Sequence, residues 1–344
     1  MKKIRADNYS IWLGKKSLTK LDTSSYSKVA VLVDENTKKY CLNLLPRINH
    51  SIIIEIDSGE KNKNISTCNL IWEQLTKNNF DRNSLLINLG GGVIGDMGGF
   101  AASTYKRGID FIQIPTTLLA MVDASIGGKL GVDFNGLKNQ VGLFSDPRSV
   151  IINPIFLQTL AEEELKSGFS EVVKYALITD KRLWKKITNT PFNNLEWKEV
   201  IYTSLEIKNK IVTSDPKEDG ERKKLNFGHT FGHALETIGN NKLYTHGEAV
   251  ALGMLAAIKL SENISDLDLK VFDRVHSTIK NTGIRVKLKK KISPKKLIKL
   301  MQSDKKKNNS QLKFILLEKI GKAKIKSVGN EAKIENAIKN SLFY

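Results

Sequence analysis

The first 150 positions alternate between short apolar runs and longer stretches with helical spacing. The runs cover 29–33, 52–56, 85–89, 109–114 and 149–152, and are dominated by Val, Ile and Leu. Such runs predict strands buried on both faces. Between them, 68–77 and 96–105 carry helical periodicity. Alternation of this kind predicts an α/β domain with a mostly parallel, Rossmann-like sheet covered by helices.

After about residue 155 the pattern changes. Helical periodicity covers 162–178, 181–188, 195–214, 227–238, 248–261 and 267–281, with almost no strand signal. A mixed tail follows, with a helix expected over 294–302 and strands over 313–317 and 322–326. The expected organisation is a nucleotide-binding α/β domain over 1–155 and a mainly α-helical domain over 156–344. Ligand sites favour the cleft between such domains.

Composition narrows the class. The chain has 344 residues and two cysteines, Cys41 and Cys68, without metal-site spacing. That argues against a disulfide scaffold and fits a reducing cytoplasm. The opening MKKIRADNYSIWLG is charged but lacks the apolar run of a signal peptide, and no segment has the apolar length of a membrane span. The net charge of +19 raises a nucleic-acid reading. Against it, the lysines are dispersed among asparagines, and the densest runs, 287–291 and 305–307, lack interleaved aromatics for base stacking. Neither a nucleic-acid nor a membrane partner is expected. A basic chain does focus anionic small substrates.

Four segments carry candidate chemistry. In the first, an apolar run ends in Gly90-Gly-Gly-Val-Ile-Gly-Asp96, where a helix begins. Glycines there let a backbone approach a pyrophosphate, and the helix N-terminus offers unpaired amides. The spacing is not a clean G-x-G-x-x-G, and no Gly-Lys-Ser/Thr follows, so a P-loop is disfavoured. Asp34, ending the first run, is a candidate acceptor for a ribose hydroxyl or simply a loop acid. The second segment is Pro115-Thr-Thr-Leu-Leu-Ala-Met-Val-Asp123 through Lys129, with Gly136-Leu-Lys138-Asn139 beyond it. Lysines among Gly and Asn in loops suit an anionic ligand.

The third segment is Ser167-Gly-Phe-Ser-Glu171-Val-Val-Lys174-Tyr175. Glu171 and Lys174 share a helical face in apolar surroundings, so a buried Glu171 needs a cation or a metal. The fourth is Asn226-Phe-Gly-His-Thr-Phe-Gly-His233, followed by His246-Gly-Glu248. Three of the chain's five histidines fall in this window. His229 and His233 stand one helical turn apart, with Gly228 and Gly232 leaving room beside the rings. Nitrogen and oxygen donors without thiolates suit zinc or a similar divalent ion. Thr230 occupies the position of the catalytic Glu of H-E-x-x-H, which disfavours a zincin protease.

These segments, in this order from roughly Asp34 to Lys307, closely resemble the 3-dehydroquinate synthase family of sugar phosphate cyclases. The resemblance implies NAD, a divalent metal (zinc or cobalt) and a homodimer. It implies a phosphate-eliminating lyase of the shikimate pathway acting on 3-deoxy-D-arabino-heptulosonate 7-phosphate. In that family a hydroxyl is oxidised by NAD, phosphate leaves, the ketone is reduced back, and an intramolecular aldol closure yields 3-dehydroquinate. The metal ligands carry over to Glu171, His229 and His246, leaving His233 to the substrate. NAD contacts carry over to Asp34, Glu60, Lys63, Gly91, Gly92, Asp96, Thr116, Thr117, Lys138, Phe156 and Thr159. Substrate contacts carry over to Asp123, Lys129, Asn139, Lys174, Lys208, Glu218, Arg222, Asn226, and Lys305 or Lys306. Arg107 matches an arginine that reaches the neighbouring subunit's site.

Three positions depart from the family's usual pattern. Leu130 stands where Thr is usual, Asp133 lies near where Asn is common, and Pro216 interrupts an acidic run. The alternatives are another NAD- and metal-dependent sugar phosphate cyclase, such as a 2-deoxy-scyllo-inosose or valiolone synthase, and more distantly a polyol dehydrogenase of the glycerol dehydrogenase type.

Overall fold

The apolar runs become the parallel strands of one sheet. The computed structural model describes residues 1–49, 51–239, 243–290, 292–303 and 311–342. It divides into two units, Met1–Leu165 with Trp197–Thr213, and Lys166–Glu196 with Ser214–Tyr344.

In the first unit the strands are β1 (Lys2–Arg5), β2 (Ser10–Leu13), β3 (Val29–Asp34), β4 (Ser51–Ile56), β5 (Leu85–Gly90), β6 (Asp110–Pro115), β7 (Lys129–Phe134), β8 (Leu137–Phe144) and β9 (Ser149–Ile152). Seven of them form a sheet in the order β1-β2-β9-β6-β5-β3-β4, while β7 and β8 make a separate antiparallel ribbon. All neighbours in the seven-stranded sheet are parallel except β1 and β2. Alternate residues of β3 and β5 point to opposite faces, yet Val29 to Val33 and Leu85 to Ile87 are all buried. Burial on both faces is why these strands read as unbroken apolar runs.

The helices of this unit are α1 (Glu35–Tyr40), α2 (Ile65–Lys77), α3 (Gly92–Thr104) and, later in the chain, α6 (Trp197–Ser214). One core joins α2 and α3 to one face of β3–β6 and to Leu130 and Val132 of β7. Chain order runs outward from β3 to β4 and returns to β5, so the strand order reverses between β3 and β5. Ligands of such sheets bind beyond the carboxyl ends of the strands at that switch point. Helix α6 lies in the first unit, although its place in the sequence put it in the expected helical domain. Lys2 Nζ pairs with Glu199 at 3.2 Å, and Asn209 Nδ2 donates to the Arg5 carbonyl at 3.0 Å.

The second unit contains α5 (Lys181–Asn189), α7 (His229–Ile238), α8 (His246–Ser265), α9 (Lys270–Asn281), α10 (Pro294–Ser303), α11 (Glu331–Leu342) and the antiparallel pair β10 (Leu312–Lys319) and β11 (Lys322–Val328). Helix α4 (Glu162–Ile178) gives it most of its length. Helix α8 is its axis, buried almost without break from Gly247 to Ser261 and packed on α7, α9, α11 and β10. No described helix is long and apolar enough to cross a membrane.

The sequence reading omits β1, β2, α1, α11 and the β7–β8 ribbon. It placed Lys129 and Lys138 in loops. They are strand residues of the ribbon, whose turn is made by Asn135 and Gly136, both at positive φ.

Candidate active site

Three helices converge on one acid. Glu171, in the middle of α4, is fully buried, and its Oε2 pairs with the ammonium of Lys174 one turn later. Its Oε1 lies 3.6 Å from Nε2 of His229, the first residue of α7, and 3.6 Å from Nε2 of His246, the first residue of α8.

Glycines set this convergence by removing side chains between helices. A Cβ on Gly247 would sit 2.3 Å from the Ser167 backbone, so only glycine lets the start of α8 dock on α4. The Gly247 amide donates to Ser167 Oγ at 3.0 Å in that contact. Gly228 and Gly232 do not make room for the imidazoles, as the sequence reading had it. Their missing side chains face Val250, Met254 and Ala249 of α8. A Cβ on Gly253 would in turn meet the Gly228 carbonyl at 2.0 Å. The α7–α8 pair thus packs backbone against backbone, bringing the His229 and His246 rings within 5.5 Å.

The donor set fits a divalent ion. One ligand atom each from Glu171, His229 and His246 lies within 4.8 Å of the others. Zinc bonds of about 2.0–2.2 Å place ligand atoms roughly 3.4–3.6 Å apart across a tetrahedral centre, which matches the 3.6 Å spacings. His229 Nδ1 lies 3.2 Å from the Phe227 carbonyl, which can only accept, so Nδ1 carries the hydrogen and Nε2 presents its lone pair toward Glu171. Burial, helped by the Lys174 charge, drives the His229 pKa down to about 3 and keeps the ring neutral. Burial also opposes charge on His246, but hydrogen bonds to Glu171 and Glu236 outweigh it and lift its pKa to about 10. Two carboxylates around one imidazole thus create a demand for positive charge that a cation answers. His233 is exposed, and its ring stands edge-on to His229 at 5.3 Å.

Within the second unit, Asp215 organises a polar loop. Its carboxylate accepts from the backbone amides of Asp219, Gly220 and Arg222 at 2.8–3.0 Å. Arg222 is buried and donates from Nη1 to the Pro216 carbonyl at 2.5 Å, so the proline that breaks the acidic run is an anchor for the arginine. Asn226 Nδ2 donates to Glu218 Oε1 at 2.5 Å.

In the first unit, the residues expected at NAD gather at the carboxyl ends of the strands. Asp34 ends β3 and caps α1, accepting from the Thr37 amide at 2.7 Å. It is a helix cap, not a loose loop acid. Gly91 caps α3 with no side-chain bond, which leaves the first amides of that helix for a ligand. A Cβ on Gly91 would lie 3.1 Å from Thr117, and one on Gly92 would lie 3.4 Å from Ala124. Thr116 follows β6, and its amide donates to Gly90. Phe156, buried, and Thr159 lie on the 3-10 turn Pro154–Thr159 after β9. Thr159 and Asp34 both act on the buried Cys41 thiol, whose pKa burial raises to about 11.

Three ion pairs tie further candidates together. Lys63 Nζ reaches Asp96 Oδ2 at 2.6 Å and Asn139 Oδ1 at 2.7 Å, joining two expected NAD contacts to an expected substrate contact. Burial disfavours the Lys63 charge, but Asp96 and Glu60 outweigh it and hold the ammonium above the usual lysine range. Burial raises the Asp96 pKa against the pull of Lys63. Asp133 accepts from the Asn139 amide at 2.8 Å and so fixes the left-handed Asn139. Lys138 lies 3.6 Å from Glu60. On the other side, Lys208 of α6 meets Asp123 through both its carboxylate (2.6 Å) and its carbonyl (2.5 Å). Lys129, exposed, opens β7, and Leu130 beside it is a core residue against Gly99.

Arg107 stands apart from these groups. It follows Lys106 in a turn where both have positive φ, and it lines a cavity of about 420 Å³ with Tyr26, Arg82 and Asp110. That cavity is at the amino end of β6, about 20 Å of strand from Thr116 at about 3.3 Å per residue. Lys305 and Lys306 lie outside the described residues. The sequence reading missed Glu236, a buried acid of α7 whose Oε1 lies 3.4 Å from His246 Nδ1. Nothing in the local spacing links the two, because they lie ten positions apart on different helices.

Comparison with known proteins gives this geometry a context. The chain matches the family model for the 3-dehydroquinate synthase N-terminal region over residues 53–167, and the C-terminal one over 168–307. A 3-dehydroquinate synthase of Prochlorococcus marinus (strain MIT 9211) is 39% identical over 320 residues, covering 90% of this chain and 86% of the relative. Among solved structures, a 2-deoxy-scyllo-inosose synthase complexed with carbaglucose-6-phosphate, NAD+ and Co2+ superposes with a TM-score of 0.86 at 23% identity, covering 99% of this chain and 100% of that one. A 2-epi-5-epi-valiolone synthase from Streptomyces hygroscopicus subsp. jinggangensis 5008, with NAD+ and Zn2+ bound, gives 0.88 at 24% identity, covering 99% and 98%. At these identities the two structures speak for the fold.

Proposed function

The chain belongs to the 3-dehydroquinate synthase family, and from that premise we propose that it converts 3-deoxy-D-arabino-heptulosonate 7-phosphate into 3-dehydroquinate and phosphate. The observation that carries the proposal is the meeting of Glu171, His229 and His246 within 4.8 Å, the three positions that the resemblance assigns to the metal. When bound, the divalent ion supplies a Lewis acid and NAD a hydride acceptor that turnover regenerates.

The chain's own residues do the holding. Gly91, Gly92 and the open amides of α3 receive the pyrophosphate, with Asp34 and Thr159 toward the adenosine end and Thr116, Thr117, Lys138 and Phe156 lining the rest. Lys63 and Asp96 link that site to Asn139. For the anionic groups of the substrate the resemblance points to Lys129 and Asn139 in the first unit and to Arg222 and Asn226 in the second, each binding by charge and direction. Lys208, held by Asp123, and Lys174, held by Glu171, present ammonium groups whose positions are fixed before substrate arrives. Glu218 orients Asn226, and His233 stands by the metal on the substrate side.

The protein acts as a homodimer in which Arg107 serves a second copy. Its place at the opposite end of β6 from Thr116 supports that reading, since a single chain has no use for it at its own cofactor site. The test is incubation of metal-loaded protein with the heptulosonate phosphate and catalytic NAD. Phosphate and dehydroquinate in equal amounts, without net NADH, are the expected result. Net NADH without phosphate would indicate a polyol dehydrogenase, and no reaction would overturn the proposal.

A further inference from the structure

Glu236 is a carboxylate in a place where burial has to be offset. It lies on α7, almost fully buried, among the apolar residues that pack α7 against α8. A carboxylate in such a position needs a partner. Its Oε1 lies 3.4 Å from Nδ1 of His246, while Nε2 of the same ring is 3.6 Å from Glu171 Oε1. The imidazole is therefore gripped at both nitrogens, by Glu171 on the side of the three-residue cluster and by Glu236 on the far side. His246 needs this more than His229 does. The His229 ring is oriented by the Phe227 carbonyl of its own chain segment, whereas His246 opens a new helix and is half-exposed.

We propose that Glu236 is a positioning residue for the metal ligand His246, holding its Nδ1–H and thereby directing the Nε2 lone pair at the ion. The inference rests on the metal reading above. A carboxylate behind a ligating imidazole fixes its tautomer and raises its basicity, and losing such a partner costs about 10–100-fold in metal affinity. Glu236 also holds the two ligand-bearing helices in one arrangement, because it reaches from α7 to the first residue of α8.

The test is Co2+ binding, followed by its visible absorption and by competition with a chromophoric chelator. It compares wild type, Glu236→Gln and Glu236→Leu, with Glu171→Gln as the ligand control. Gln keeps the volume and can still accept from Nδ1, so a loss of several-fold is expected. Leu removes the acceptor, so about 10–100-fold weaker binding with an altered absorption band is expected. Thermal unfolding of the metal-free proteins checks that the variants fold, and Glu236→Gln carries the test if Glu236→Leu does not. Wild-type Co2+ binding that Glu171→Gln abolishes, but both Glu236 variants leave unchanged in affinity and spectrum, overturns this inference alone. Absence of Co2+ binding by the wild type overturns the metal reading, and this inference with it.

Discussion

Asn88 occupies the space that a side chain at residue 98 would need. A Cβ on Gly98 would fall 2.0 Å from Asn88 Oδ1 and 2.7 Å from Leu32 Cδ2. Asn88 is on β5, two residues before the Gly90-Gly-Gly turn, and its side chain points up under α3. Neither of its side-chain polar atoms has a hydrogen-bond partner among the described residues. The two positions are thus complementary, and the pair sits directly beneath the turn proposed for NAD.

Gly98→Ala should therefore destabilise, although Ala in a helix interior normally gains about 0.5–1 kcal/mol over Gly. Overpacking at a site this tight costs about 1–3 kcal/mol. In the Asn88→Ala background the shorter contact and a buried unpaired amide are gone while the Leu32 contact stays, so the same Gly98→Ala change should cost clearly less than it does in the wild type. Urea unfolding of the four proteins measures the coupling. Equal effects of Gly98→Ala in both backgrounds would show that the pair does not interact.

That pairing also marks where sequence reading stops. The parallel strands were legible because burial on both faces makes them continuously apolar. The β1 strand was not, because Lys2-Lys-Ile-Arg5 is a charged edge strand with one buried side chain. The β7–β8 ribbon hid because only one of its faces is covered, so Leu137 to Phe144 read as a polar loop. Helix α11 did carry an apolar stripe at Ile334, Ala337, Ile338 and Leu342, and it went unread. At the site, residue types and motif order were visible, but what each glycine faces was not. Gly228, Gly232 and Gly247 take their roles from α8 and α4, a contact no local window contains.

Asp215 should control Arg222 without touching substrate. Asp215→Ala frees three backbone amides and releases the loop that holds Arg222. A several-fold rise in KM with a smaller change in kcat is expected, because ground-state positioning is what is lost. The backbone hydrogen bonds, that of Arg222 first, hold the Asp215 pKa below its ordinary 3.8. A depressed folded pKa means the contribution is complete above 3.8 and fades only as pH falls through the lower folded value. An NMR titration of the Asp215 carboxyl should find its midpoint below 3.8, and a midpoint at or above that value would contradict the assignment.

The Lys208–Asp123 pair should cost both stability and turnover when broken from either side. Lys208 is nearly buried, while Asp123 is one-quarter exposed. Asp123→Asn leaves the ammonium with a neutral partner and should lower stability by about 1.5–3 kcal/mol, the range for hydrogen bonds to charged groups. Lys208→Met removes the cation itself. Both should reduce kcat/KM, and Lys208→Met the more. If Lys208→Met retained full kcat/KM, the lysine would be structural alone.

Metal removal should separate the two histidines one turn apart on α7. His229 Nε2 belongs to the cluster with Glu171 and His246, while His233 places its ring edge against His229. His229→Ala should lose both metal and turnover. His233→Ala should keep most of the metal affinity while impairing turnover. Ligand binding to the folded state alone stabilises it by about 2.7 kcal/mol at 100 times Kd. Zinc should therefore raise the melting temperature of wild type and His233→Ala, and leave His229→Ala unmoved. A chelator should reverse the rise wherever it occurs. The discriminating result is the zinc response of His233→Ala. If its melting temperature no longer moved with zinc, His233 would have to be counted among the ligands, and the separation of roles along α7 would fail.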